Sequence, residues 1–113
     1  MKRELVYLIY ILKKQHRLIA FISLAAHNRK GCEIAWKYMQ DNWNKTEKIY
    51  DEHSRDLIHL VENVPCHFVN EQRANEVRNF YANHPNPIFE GTIGKVLQQI
   101  NIRQLVLQHH ENS

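Results

Sequence analysis

Residues 31–43, GCEIAWKYMQDNW, carry both tryptophans of the chain, seven positions apart. Within this segment, apolar residues recur at the spacing that places side chains on one face of an α-helix, at Ile34, Ala35, Tyr38 and Met39. The two indoles lie on an adjoining face of the same predicted helix. The segment therefore predicts a helix that neighbouring helices cover on more than one side.

The composition of the whole chain favours one helical domain. The chain has 113 residues, of which 43% are hydrophobic and 24% charged, with only three glycines and three prolines. A chain of this length can bury a core without metal ions or disulfides. Because few residues interrupt helices, we predict an all-α fold of about six helices joined by short turns.

Two apolar segments, 4–13 and 17–26, precede the tryptophan segment. Periodicity alone fits a buried helix or a strand for each, and the composition favours helices. Neither segment is long enough to span a bilayer, and no small-residue cleavage site follows the first, so we predict no membrane span and no signal peptide. We also expect an apolar face near residues 5–22 to drive self-association.

Asparagines and prolines predict where the later helices begin and end. Asn28, Asn70 and Asn86 each stand where a side-chain oxygen could cap a helix N-terminus. Pro65 disfavours helical geometry in the residue before it and so ends a helix there. Pro87 suits the first turn of a last long helix, which we predict to begin at this residue.

The predicted last helix has one apolar face and two weak points. The face consists of Ile93, Val96, Leu97, Ile100 and Leu107. Gly91 and Gly94 should each weaken the helix by ~1 kcal/mol relative to alanine.

The net charge of +3 is divided unevenly along the chain. Residues 1–50 hold ten Lys and Arg against four Asp and Glu, whereas residues 51–113 hold five against eight. A basic half can bind nucleic acid. However, the charges stand in scattered pairs without the aromatic or Gly-rich pattern of RNA-binding segments, so we predict solvated helix faces and no nucleic-acid partner.

Two cysteines and eight histidines are the candidates for reactive chemistry. Cys32 and Cys66 are too few for a disulfide scaffold, and reduced thiols predict a cytoplasmic protein. A lone cysteine in a helical core is usually a small hydrophobic residue, although a Cys–His nucleophile pair formed in space stays open. No histidine belongs to an H-E-x-x-H zinc pattern, so we predict no catalytic residue, metal ligand or cofactor in this chain.

The tryptophan segment resembles a specific family pattern. Gly31, Ala35-Trp36 and Asn42-Trp43 are similar to a motif near the C-terminus of zinc-dependent aminopeptidases of the puromycin-sensitive and aminopeptidase N types. The likeness continues in register through the aromatic pair at 80–81 and the His-Pro at 84–85, and covers roughly residues 19–107.

This resemblance implies an all-helical C-terminal domain of HEAT-like or armadillo-like helix pairs. Such a domain arches over a separate catalytic domain and encloses the cavity that binds peptides for N-terminal amino acid removal. The family's zinc-binding H-E-x-x-H helix and G-x-M-E-N motif belong to an earlier domain and do not occur here. The zinc and all catalytic residues are therefore expected in the parent enzyme.

We expect residues 19–113 to form a partial domain of this kind, without the family's final helix, and residues 1–18 to be a segment of uncertain origin. The implied partners are the catalytic domain or full-length enzyme, with peptides reached through that enzyme. An alternative is a stand-alone helical module that binds a protein partner. In either case we predict that aromatic residues anchor the stacked helices, namely Trp36, Trp43, Phe80 and Tyr81.

Overall fold

The structure, a computed structural model, describes residues 14–50 and 54–112. These residues form six α-helices and one 3-10 helix, with no strand among them. The α-helices are α1 (Lys14–His27), α2 (Arg29–Asp41), α3 (Trp43–Ile49), α4 (Ser54–Asn63), α5 (Glu71–Asn83) and α6 (Thr92–Asn112), and the 3-10 helix is Pro87–Phe89. The all-α prediction is confirmed, and the helix predicted at 4–13 lies outside the described residues.

The chain divides into two compact units, one ending at His67 and the other beginning at Phe68. In the first unit α1 packs along α2 and also contacts α4, whereas in the second α5 packs against α6. The first core consists of Phe21, Ala25, Cys32, Ala35, Trp36, Met39, Trp43, Tyr50, Leu57, Leu60, Val61 and Val64. The second core consists of Phe68, Ala74, Val77, Phe80, Tyr81, Phe89, Val96 and Ile100.

A single residue connects α1 to α2. Asn28 has an extended backbone, and its side-chain oxygen accepts a hydrogen bond from the Gly31 N–H at 2.7 Å, so the predicted cap is confirmed. Gly31 is buried, and a Cβ added there would collide with the backbone carbonyl of Leu24 in α1. The two helices therefore approach so closely that only glycine fits at this position.

The helix predicted across both tryptophans is interrupted at Asn42. Its backbone leaves helical geometry at φ −122°, and both its N–H and its side-chain amide donate to the Tyr38 carbonyl at 3.0 Å. An asparagine side chain that binds the backbone of the preceding turn competes with helix propagation. Consequently Trp36 lies in α2 and Trp43 begins α3, and the prediction of one continuous helix was wrong at this residue.

Two helix starts were predicted in the second unit, one after Asn70 and one after Asn86, and only the first is confirmed. Asn70 caps α5 by accepting from the Arg73 N–H at 2.9 Å, which confirms that cap. Asn86 also caps, but the helix that follows it is the short 3-10 helix rather than the long last helix. The predicted start of the last helix at Pro87 was therefore wrong.

Gly91 explains why the last helix begins at Thr92 and not at Pro87. Its φ is +87°, a left-handed conformation that ends the 3-10 segment and that glycine adopts without strain. α6 then begins at Thr92, so Gly91 does not weaken the helix as predicted, whereas Gly94 lies inside it.

The apolar face predicted for α6 is buried only in the first half of the helix. Val96 and Ile100 are buried, but Leu107 is 42% exposed, and the prediction for that residue was wrong. α6 presents four large hydrophobic side chains to solvent in its second half, which we call the α6 apolar surface: Ile102, Leu105, Val106 and Leu107.

Candidate functional site

The four predicted aromatic anchors are all buried, two in each unit. Trp36 and Trp43 are each 2% exposed in the first unit, and Phe80 and Tyr81 are adjacent on α5 in the second. An indole with so little exposure has no open face on which a ligand could stack. Burial thus disfavours ligand binding on the indoles, and their role as anchors stays a prediction.

The two thiols donate hydrogen bonds to backbone carbonyls at the ends of helices. Cys32 Sγ lies 3.0 Å from the Val64 carbonyl oxygen, directly after α4. Cys66 Sγ lies 3.5 Å from the Ala25 carbonyl oxygen, in the last turn of α1. The last carbonyls of a helix have no partner within the helix, so both thiols act as C-terminal caps.

His67 completes the capping of α1. Its Nε2 lies 3.0 Å from the carbonyl oxygen of Ala26, and because a carbonyl only accepts, Nε2 carries the proton in this contact. Cys66 and His67 therefore face two consecutive carbonyls of the same helix. This geometry gives both side chains a structural role at the end of α1.

A small cleft lies in the first unit. It encloses about 300 Å³, including space open to solvent, and is lined by Arg17, Phe21, Tyr38, Lys45, Thr46, Ile49, Tyr50 and Leu60. Burial raises the pKa of the Tyr50 hydroxyl, the positive charge of Arg17 lowers it, and the negative charge of Asp56 raises it. A tyrosine is already protonated at neutral pH, and the raised pKa leaves the Tyr50 hydroxyl so, as a hydrogen-bond donor or acceptor rather than a base.

Aromatic rings form the centre of the second unit. Phe80 packs edge-on to Tyr81 with ring centroids 5.0 Å apart and lies 4.6 Å from the His84 ring. Tyr81 also packs edge-on to Phe89 at 5.6 Å, and its burial raises the pKa of its hydroxyl above the ordinary value. Edge-to-face pairs of this kind contribute ~0.5–1.5 kcal/mol beyond the area they bury.

Two arginines hold Phe68 at the start of the second unit. Arg103 Nε donates to the Phe68 carbonyl at 2.9 Å, and the Arg73 guanidinium lies 5.0 Å from the centre of the Phe68 ring. Arg73 also contacts both carboxylate oxygens of Glu76 at 3.0 Å. Sequence reasoning missed Arg103, because its partner is 35 positions away and no local pattern marks the pair.

The described residues contain neither a metal-binding cluster nor a membrane-spanning helix. Across residues 14–50 and 54–112, no three His, Cys, Asp or Glu side chains are grouped so that they could hold a metal ion. No helix in the same ranges is long and apolar enough to cross a membrane.

Comparisons with known proteins agree on one family. The family model described as "ERAP1-like C-terminal domain" matches residues 2–102. Aminopeptidase M1-B of Oryza sativa subsp. japonica is 29% identical over 83 residues, which are 74% of this chain and 9% of that protein. No solved structure matches the chain.

Two mammalian proteins are similar over shorter stretches. Endoplasmic reticulum aminopeptidase 1 of Mus musculus is 30% identical over 61 residues, or 54% of this chain and 7% of that protein. Endoplasmic reticulum aminopeptidase 2 of Homo sapiens is 28% identical over 68 residues, or 60% of this chain and 7% of that protein. The matched region thus spans less than a tenth of each of these relatives.

Proposed function

This chain belongs to the ERAP1-like C-terminal domain family of M1 aminopeptidases, and on that premise we propose that it helps to enclose the peptide-binding cavity of a zinc aminopeptidase. The parent enzyme removes N-terminal amino acids from peptides. This domain contributes no bond-breaking group but supports the closure of the enzyme around its substrate. The family match over residues 2–102 is the observation that carries the proposal.

We propose further that the helices are pairs from a short HEAT-like or armadillo-like stack. The one-residue connection at Asn28 and the close approach at Gly31 support a tight pair formed by α1 and α2. In such stacks each pair buries its apolar face against the next pair. The α6 apolar surface suits this role, as the place where the rest of the enzyme packs.

The same surface also favours the alternative of a stand-alone interaction module. Its four side chains are between 42% and 63% exposed, and three of them, Ile102, Leu105 and Val106, recur at the spacing of one helix face. An exposed apolar stripe of this kind often marks a protein interface. In this case the partner would be a separate protein rather than the remainder of one polypeptide. The cytoplasmic location predicted from the thiols stays a prediction for both cases.

We expect the purified chain to hydrolyse no aminoacyl fluorophore, with or without added zinc. The physical reason is that an aminopeptidase needs a zinc-activated water and a general base, and this sequence lacks the H-E-x-x-H motif that supplies them. The measurement is fluorophore release over buffer, with the mouse relative as a positive control. Hydrolysis that a chelator abolishes would show that the chain is itself an enzyme and would overturn the proposal.

A further inference from the structure

Residues 44–46, Asn-Lys-Thr, form an acceptor sequence for N-linked glycosylation. This modification requires Asn-x-Ser or Asn-x-Thr in which x is not proline, and here the central residue is Lys45. No other asparagine in this sequence has a serine or threonine two positions later. We propose that Asn44 accepts an N-linked glycan when this chain is delivered into the lumen of the endoplasmic reticulum, a compartment other than the cytoplasm predicted from the thiols.

The position of Asn44 on α3 leaves room for a glycan. Asn44, Lys45 and Lys48 are exposed, whereas Trp43 and Tyr50 are buried. The exposed residues share the outer face of a short helix, so a sugar attached to Asn44 projects into solvent and displaces no core side chain. An acceptor asparagine must lie on the surface of the folded product, and Asn44 meets this condition.

Thr46 determines when the glycan is attached. Its side chain is half-buried and lines the cleft with Phe21 and Tyr38. The transferase must recognise the Thr46 hydroxyl, and once α3 has packed the Thr46 side chain is only partly accessible. The glycan is therefore attached while the chain is still extended, before the first unit folds.

The oligosaccharide is transferred to Asn44 from a donor of known chemical class. The side-chain nitrogen of Asn44 attacks the anomeric carbon of an oligosaccharide linked to a lipid pyrophosphate. A C–N bond forms while the C–O bond to the pyrophosphate breaks, the nitrogen loses one proton, and the lipid pyrophosphate leaves. No oxidant or reductant is involved, and the inference does not depend on the proposed role in an aminopeptidase.

The test is translation of the full chain behind a cleavable signal sequence in the presence of endoplasmic reticulum microsomes. A C-terminal tag with its own acceptor sequence reports delivery into the lumen. We expect the chain to gain the mass of two glycans, one on the tag and one on Asn44, and an endoglycosidase to remove both. The Asn44→Gln variant should gain the mass of only one glycan. Thr46→Val retains the shape of Thr46 without its hydroxyl and should also lack the glycan on Asn44, whereas Thr46→Ser should retain that glycan.

Two results would overturn the inference. One is a chain that receives only the glycan of the tag, and the other is an Asn44→Gln variant that still receives both. A second readout tests the position of the site: the glycosylated chain should keep the helical circular dichroism and tryptophan fluorescence of Asn44→Gln. A glycosylated chain that has lost its helical signal would show that Asn44 does not face solvent in the fold.

Discussion

Replacement of Trp36 with alanine is expected to lower the free energy of unfolding of the first unit by about 3–5 kcal/mol. The indole is 2% exposed, so its removal forfeits a large buried apolar area and leaves a cavity that the surrounding helices fill only in part. Since small domains are stable by only about 5–15 kcal/mol, this loss is a large share of the total. Urea unfolding followed by the fluorescence of Trp43 measures it.

The matched control is Lys37→Ala on the same helix. Lys37 is exposed, and its ion pair with Asp41 spans 3.7 Å between two exposed side chains, so its removal should change stability by no more than about 0.5 kcal/mol. Trp36→Phe, which leaves a smaller cavity, should give an intermediate loss. If Trp36→Ala and Lys37→Ala have similar unfolding midpoints, the indole is not an anchor of this unit.

The second large effect is expected at Gly31, where a single added methyl group should destabilise the first unit by about 1–3 kcal/mol. A Cβ at this position collides with the Leu24 carbonyl, which is backbone and cannot rotate away as a side chain could. The helices α1 and α2 must separate to admit it. Urea unfolding of Gly31→Ala, followed by tryptophan fluorescence, measures the effect.

Gly94→Ala is the control with the opposite sign. A Cβ at Gly94 meets no atom within 4 Å, and the residue lies inside α6, so alanine should stabilise the helix by about 0.5–1 kcal/mol. Far-ultraviolet circular dichroism during urea unfolding detects this change. A stabilised Gly31→Ala would show that α1 and α2 do not pack as closely as described.

Features set by neighbouring residues could be predicted from the sequence. Asn28 and Asn70 cap their helices as predicted, because the capping oxygen binds an N–H three positions later in the same segment. The end of α4 before Pro65 follows from the steric effect of proline on the residue before it. These interactions need no knowledge of the fold.

Features that depend on distant partners could not be predicted. Cys32 binds the carbonyl of Val64, which is 32 positions away, and sequence reasoning treated its thiol only as a small hydrophobic group or a possible nucleophile. The need for glycine at position 31 arises from the neighbouring helix, which the local sequence does not reveal.

Two predictions were wrong, one for a local reason and the other because burial depends on tertiary packing. The break at Asn42 results from its side chain binding the Tyr38 carbonyl, an option that helical periodicity does not represent. At Leu107, periodicity identified an apolar residue of α6 but not whether a neighbour covers it. The expected apolar face near residues 5–22 lies mainly outside the described residues, and Ile19 within it is 62% exposed.

The central claim is that this sequence forms a non-catalytic part of a zinc aminopeptidase. The most direct test is to isolate the native polypeptide that contains it and to measure its intact mass, its sequence and its peptidase activity. We predict a much longer chain with H-E-x-x-H upstream of these residues and zinc-dependent hydrolysis, since the matched 83 residues are only 9% of the rice relative. A native polypeptide of 13.6 kDa without peptidase activity would contradict the claim and favour the stand-alone module.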